Sequence, residues 1–277
     1  VTPRRVARVS LDASRLVVAH APRARTRELV RTSIPRRAAR VAITRSLGTL
    51  DRRLHATLVD AVVLDLGASD EAVGAASLAR EFPSVAFVAV TPFRAVDAPA
   101  IAACANCGVA DILADGIDDA LLRHAVSLHG FSARFASALA EPPRELGLES
   151  RIQKSAWRFI TGRAGRVVRT QELAKALAVT REHLSRSFGH SGKPQATLKR
   201  VIDLVRLLAA AELAKNPGYD LRDVVRLLGY ASVSQLSAVA ERLVGRPATS
   251  LARLRPSDLI EGFVRTAARP LVSSGTL

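Results

Sequence analysis

Thr170-Gln171-Glu172-Leu173-Ala174-Lys175-Ala176-Leu177 is followed by Ala178-Val179-Thr180 and then by Arg181-Glu182-His183-Leu184-Ser185-Arg186-Ser187-Phe188. The pattern returns further along. Leu221-Arg222-Asp223-Val224-Val225-Arg226-Leu227-Leu228 is followed by Gly229-Tyr230 and the run from Ala231 to Val244. Each unit has the spacing of an amphipathic helix, a tight turn and a second helix opening with small polar residues. That is the pattern of a helix-turn-helix, whose second helix fits the major groove of duplex DNA. Residues 170–188 and 221–244 are expected to form two such units.

Outward from these units, Ser150–Thr161 predicts a helix anchored by Trp157, Phe159 and Ile160 and ended by Gly162 and Gly165. Thr170 is expected to cap the next helix, because a threonine hydroxyl can accept from a first-turn amide. Residues 196–215 predict a longer helix, with Leu198, Ile202, Val205, Leu208 and Leu213 on one side and Asn216-Pro217-Gly218 as its stop. Such a helix of ~20 residues is ~30 Å long, close to the ~34 Å between successive major grooves on one face. Residues 256–277 read as a frayed tail. Upstream, Glu141-Pro142-Pro143 and Gly147 place a linker over 131–149.

The N-terminal half alternates. Apolar or β-branched runs occur at Leu16–Ala19, Arg40–Ile43, Ala61–Leu66, Val85–Val90 and Asp111–Ala114. Helix-like segments lie at Arg23–Ser33, Thr49–Leu58, Asp70–Glu81, Ala98–Cys107 and Asp118–His129. This order predicts a five-stranded parallel α/β sheet over 15–130, covered by helices on both faces. Residues 1–14 read as a basic tail. The expected fold class is therefore α/β plus all-α: a parallel sheet domain, then a tandem helix-turn-helix domain joined by a long helix over 150–255.

The chain carries a formal net charge of +16. Residues 1–140 hold 18 Arg, no Lys and 13 acids, a net +5; the remainder holds 23 Lys and Arg against 12 acids, a net +11. The half with the repeated motif thus carries most of the excess, which favours a polyanionic partner and a strong salt dependence. No apolar run reaches the ~18 residues of a membrane helix. No signal-peptide pattern is seen at the N-terminus. With no methionine in the chain, Val1 is not expected to be the translated start.

Several anchors in order resemble the AraC/XylS family of bacterial transcription regulators, over roughly Ile152 to Leu254. They are Leu173-Ala174, Leu184-Ser185-Arg186-Ser187-Phe188, Arg206-Leu207, Ala210, Leu213, Val224, Leu228-Gly229-Tyr230, Ser234 and Gly245-Arg246-Pro247. The resemblance implies sequence-specific binding to double-stranded DNA in two successive major grooves, and contact with RNA polymerase. Matched position by position, it puts Glu182, Ser185 and Arg186 of the first recognition helix against bases. Arg186 could fork onto guanine, and Glu182 could accept from cytosine or pair with Arg186. Leu184 and Phe188 are core positions by spacing. Thr180 is expected to cap that helix near a phosphate. In the second helix the groove-facing positions are Val233, Ser234, Gln235 and Ala238. Here the chain departs from the family, with Ala238 where Arg is common and Glu241 where a basic residue is usual. Gln235 is the expected adenine contact. Lys193, Lys199, Arg200, Arg222 and Arg246 are expected on phosphates.

The N-terminal half resembles the receiver domain of two-component response regulators, over about Arg15 to Gly130. Asp60-Ala61-Val62-Val63-Leu64-Asp65 puts Asp65 at the phosphoacceptor position, and Val88-Ala89-Val90-Thr91 matches the strand with its switch threonine. The chemistry departs from the family. Ala19-His20-Ala21-Pro22 stands where carboxylates would hold a divalent cation, and Asp115 replaces the lysine after strand five. The expectation is a phosphorylation-independent regulatory or homodimerising domain. A phosphorylated Asp65, or a small-molecule or redox sensor, is the alternative. Cys104-Ala105-Asn106-Cys107 is the only cysteine pair, read as two small helix residues with a redox role or half a zinc site as alternatives. No catalytic constellation, metal site or cofactor motif is recognised, and no enzymatic activity is expected.

Overall fold

A computed structural model describes residues 15–67, 71–189 and 197–268. The chain divides into two units. The first runs to Phe135 and includes Asn216–Tyr219; the second is the remainder. The basic tail expected over 1–14, Asp70 and Lys193 lie outside the described residues.

The first unit is an open α/β sheet. Its strands are β1 (Leu16–His20), β2 (Arg40–Thr44), β3 (Ala61–Asp65), β4 (Ala86–Thr91) and β5 (Asp111–Ala114), in the order β2-β1-β3-β4-β5. Every neighbouring pair is parallel. β1, β3 and β4 are buried at every residue. Such strands, covered on both faces, read as continuous apolar runs, which is why the sequence located them closely. The helices are α1 (Ala24–Ser33), α2 (Leu47–Ala56), α3 (Ala72–Glu81), α4 (Ala98–Cys107) and α5 (Leu122–His129). α2 starts two residues earlier than expected, and the start of the fifth expected helix is a short 3-10 turn over Asp119–Leu121. Because β1 has β2 on one side and β3 on the other, a crevice opens between the carboxyl ends of β1 and β3. His20 and Asp65, the last residues of these strands, stand at it. Within the same unit, Asn216 Oδ1 accepts from the Ser84 amide at 2.8 Å, and the Tyr219 hydroxyl donates to the Leu54 carbonyl at 3.3 Å.

The expected linker is more ordered than its prolines suggested. α6 (Phe131–Ala138) fills its first part, because Phe131 and Phe135, one helical turn apart, are both buried. A 3-10 turn over Arg144–Leu146 follows Pro142-Pro143.

The second unit holds α7 (Arg151–Gly162), α8 (Thr170–Ala176), α9 (Arg181–Gly189), α10 (Leu198–Leu213), α11 (Leu221–Leu228), α12 (Val233–Val244) and α13 (Pro256–Ala268). Ser150 and Gln153 cap the N-terminus of α7 with a reciprocal capping box. Trp157 is fully buried and its indole N–H donates to the Leu139 carbonyl at 2.7 Å. Arg169, not Thr170, is the residue before α8, and no side chain caps that end. α10 has 16 residues, so it is about 24 Å long rather than 30 Å. Thr197 starts it, its hydroxyl accepting from the Arg200 amide at 3.4 Å. α10 buries eleven residues, from Leu198 to Leu213, and forms the centre of the unit. The tail expected from Pro256 is instead helical to Ala268: Pro256 opens the helix, and Leu259, Ile260 and Phe263 are buried. Residues 269–277 lie outside the described residues.

Candidate nucleic-acid interface and the carboxyl end of the sheet

The turns after α8 and α11 share one hydrogen-bond pattern. The Val179 amide donates to the Ala174 carbonyl at 3.0 Å, and the Ala178 amide to Lys175 at 3.2 Å. The Tyr230 amide donates to Val225 at 2.9 Å, and the Gly229 amide to Arg226 at 3.2 Å. These nested bonds satisfy the last carbonyls of each helix and turn the chain sharply. The corner residue is left-handed in both, with φ +53° at Ala178 and +67° at Gly229. Glycine takes this conformation freely, whereas alanine has a Cβ that opposes it by ~1–2 kcal/mol.

Thr180 then opens α9, its hydroxyl accepting from the His183 amide at 3.1 Å, as expected of a cap. Leu184 and Phe188 are fully buried, each stabilising the packing by ~1.5–3 kcal/mol. Glu182, Ser185 and Arg186 are exposed on the same helix. The Glu182 carboxyl is held below its ordinary pKa, first by its own backbone amide and then by the Thr180 hydroxyl, with Arg181 and Arg186 contributing less. Its carboxylate therefore turns back onto the helix start.

α12 opens in the same manner. The Ser232 hydroxyl accepts from the Gln235 amide at 3.0 Å. Ser234, Gln235 and Ala238 are exposed and Val233 is half-buried, while Leu236 and Ala240 face the core. The Gln235 side-chain oxygen accepts from the Ala231 amide at 2.6 Å. A bidentate adenine contact uses both ends of a carboxamide, so Gln235 would first have to release this bond. Lys199, Arg222 and Arg246 are exposed. Arg200 is half-buried, with its guanidinium 5.0 Å from the Phe263 ring centre.

At the carboxyl end of the sheet, Asp65 is fully buried and paired with Arg23. Asp65 Oδ1 accepts from Arg23 Nε at 2.7 Å and from the Gly67 amide at 3.1 Å; Oδ2 accepts from the Arg23 amide at 3.2 Å. Arg23 also donates to Asp115 Oδ2 at 2.9 Å, and Arg25 donates to Asp115 Oδ1 at 3.2 Å. The sequence reading found no carboxylate after β1 and a misplaced acid after β5. Arg23 supplies a cation to both Asp65 and Asp115, so the two departures compensate each other, a relation not visible in the sequence beyond the cation of Pro22-Arg23 directly after β1. Gly67 is required here, because a Cβ would lie 2.6 Å from the Arg23 guanidinium carbon and 2.7 Å from the Pro92 ring. Beside the pair, the Thr91 hydroxyl bonds Asp97 at 3.3 Å and accepts from the Phe93 amide at 3.1 Å. Arg94 holds the Asp97 carboxyl below its ordinary range.

His20 is buried, neither ring nitrogen is hydrogen-bonded among the described residues, and desolvation lowers its pKa against the pull of Glu71 and Asp65. Cys104 is buried, and burial pushes its thiol up to about 11, while Cys107 is half-buried. Among the described residues no group of three His, Cys, Asp or Glu could hold a metal ion, and no helix is long and apolar enough to cross a membrane. No protein-family model, curated protein or solved structure matches the chain.

Proposed function

We propose that this chain is a sequence-specific, double-stranded-DNA-binding transcription regulator of the AraC type. In this reading α8–α9 and α11–α12 are its two helix-turn-helix units. The observation that carries it is the repeated turn geometry, followed each time by a hydroxyl-capped helix that buries its apolar positions and leaves the expected base-facing positions exposed. Arg186 is the strongest candidate for base readout, since a forked arginine contact on guanine discriminates by ~1–3 kcal/mol. Contact with RNA polymerase follows from the family resemblance.

The sheet domain acts in this proposal without phosphorylation, as a regulatory or homodimerising module. The Arg23–Asp65 pair supports this. Phosphoryl transfer to a carboxylate needs a free oxygen and a metal to gather charge, and here the chain's own guanidinium occupies the carboxylate.

Selection of duplexes from a random pool by the full chain tests the proposal. An enriched bipartite site, with affinity falling steeply as salt rises, is expected. Equal affinity for selected and random duplexes would refute it.

A further inference from the structure

At the start of α10, a cavity of about 190 Å³ is lined by Thr197, Lys199, Arg200, Asp203, Arg242 and Leu243. Three of these side chains are cations and one is an anion, a local net of +2. Asp203 is committed to Arg242 at 3.3 Å. Among the described residues Arg200 has no such partner: its Nε and one terminal nitrogen are buried with no hydrogen-bond acceptor. Buried donors are nearly always satisfied, so two orphans in one guanidinium are a standing cost, which an acceptor in the adjoining cavity would relieve once the guanidinium turned toward it. The guanidinium carbon of Arg200 lies over the Phe263 ring, 5.0 Å from its centre. Burial and the like charge of Arg242 both hold Arg200 below its ordinary pKa. An anion between the two arginines would relieve that repulsion and, with the Arg200 guanidinium turned toward it, satisfy the orphan donors.

We propose that Lys199, Arg200 and Arg242 form a binding site for a phosphoryl oxyanion at the start of α10. A planar guanidinium fork matches two oxygens of a tetrahedral anion. A second arginine and a lysine can meet the rest, with Arg242 drawn away from Asp203 as the anion enters. The sequence marked Lys199 and Arg200 as separate phosphate contacts; the fold adds Arg242 from the far end of α12 and makes a pocket of the three. The anion has two candidate sources, a DNA backbone phosphate or free phosphate. Only the first rests on the proposed function.

Calorimetric titration of the full chain with orthophosphate, at fixed chloride, tests the pocket. Saturable one-site binding is expected, weakened roughly tenfold, or about 1.4 kcal/mol, in Arg200→Gln and in Arg242→Gln. Arg31→Gln, an exposed arginine on α1, should leave it unchanged. Arg242 is also exposed, so its variant keeps the fold even if Arg200→Gln does not. A second arm measures duplex binding. If both pocket variants weaken every duplex by the same factor and lower the salt slope by about one, the source is the DNA backbone. Orthophosphate binding with unchanged duplex affinity assigns free phosphate. Orthophosphate binding in a chain that binds no duplex keeps the pocket and removes the DNA reading. No saturable orthophosphate binding, together with unchanged duplex affinity in Arg242→Gln, overturns the proposal.

Discussion

Replacing Arg23 by methionine leaves Asp65 buried with its charge and without its cation. The Asp65 side chain is 0% exposed, and Arg23 contributes all but one of its described hydrogen bonds, the other coming from Gly67. The Arg23 amide survives the substitution, but both guanidinium contacts are lost. Breaking a buried pair from one side costs ~3–5 kcal/mol, because the remaining charge is uncompensated. Arg23 is 23% exposed, so part of its hydration is kept in the folded state and the lower end, about 3 kcal/mol, applies. Asp115 keeps Arg25 and should add little. The sharper test is a reversal of sign. Asp65→Asn should destabilise the native background, where it weakens the pair, yet stabilise Arg23→Met, where it removes the stranded charge. Urea unfolding by circular dichroism, with hydrogen exchange of the β3 amides to localise the loss, reads both. A cost below about 1 kcal/mol for Arg23→Met, or additive effects in the double variant, would refute the reasoning.

The two turns give a reciprocal pair: Ala178→Gly should stabilise the helical unit by ~0.5–1 kcal/mol and Gly229→Ala should destabilise it by about as much, read from urea midpoints. A Cβ at Gly229 would meet only Val167 at an ordinary 3.7 Å, so that loss is conformational. Arg186→Ala should relax sequence preference more than Gln235→Ala, because the Gln235 oxygen is already bound to the Ala231 amide; competition against single-base variants decides it. Acetyl phosphate with Mg²⁺ should leave no adduct at Asp65 by intact mass, and Asp65→Asn should leave duplex affinity unchanged. His20 has a lowered folded pKa, so the unfolded chain takes up its proton first: stability contributed by neutral His20 is complete above about pH 6.5 and declines as pH falls below that value. His20→Phe should flatten that slope in unfolding free energy measured against pH; an unchanged slope would remove His20 as its source.

The strands were legible because parallel strands buried on both faces leave unbroken apolar runs such as Ala61-Val62-Val63-Leu64. The core positions of α9 were legible because Leu184 and Phe188 keep helical spacing. The sequence misled where one residue type had two meanings. Pro256 reads as a breaker but also opens a helix, and only Leu259, Ile260 and Phe263 beyond it reveal which. Pro142-Pro143 drew attention from Phe131 and Phe135, which extend the preceding fold. Thr170 looks like a cap, yet the chain turns helical one residue earlier. The charge network was hidden for a different reason. Arg23 meets Asp65 and Asp115 across 42 and 92 residues, a relation that local pattern does not carry.

The chain has one tryptophan, and it lies in α7 of the helical unit, fully buried and tied to Leu139. The sheet unit has none. Selectively excited indole emission therefore comes from a single, rigid chromophore in one unit alone. A shift in its wavelength or lifetime when DNA or phosphate is added would originate around α7. A signal entering the sheet unit would become optically visible only once it had been passed on to the helices.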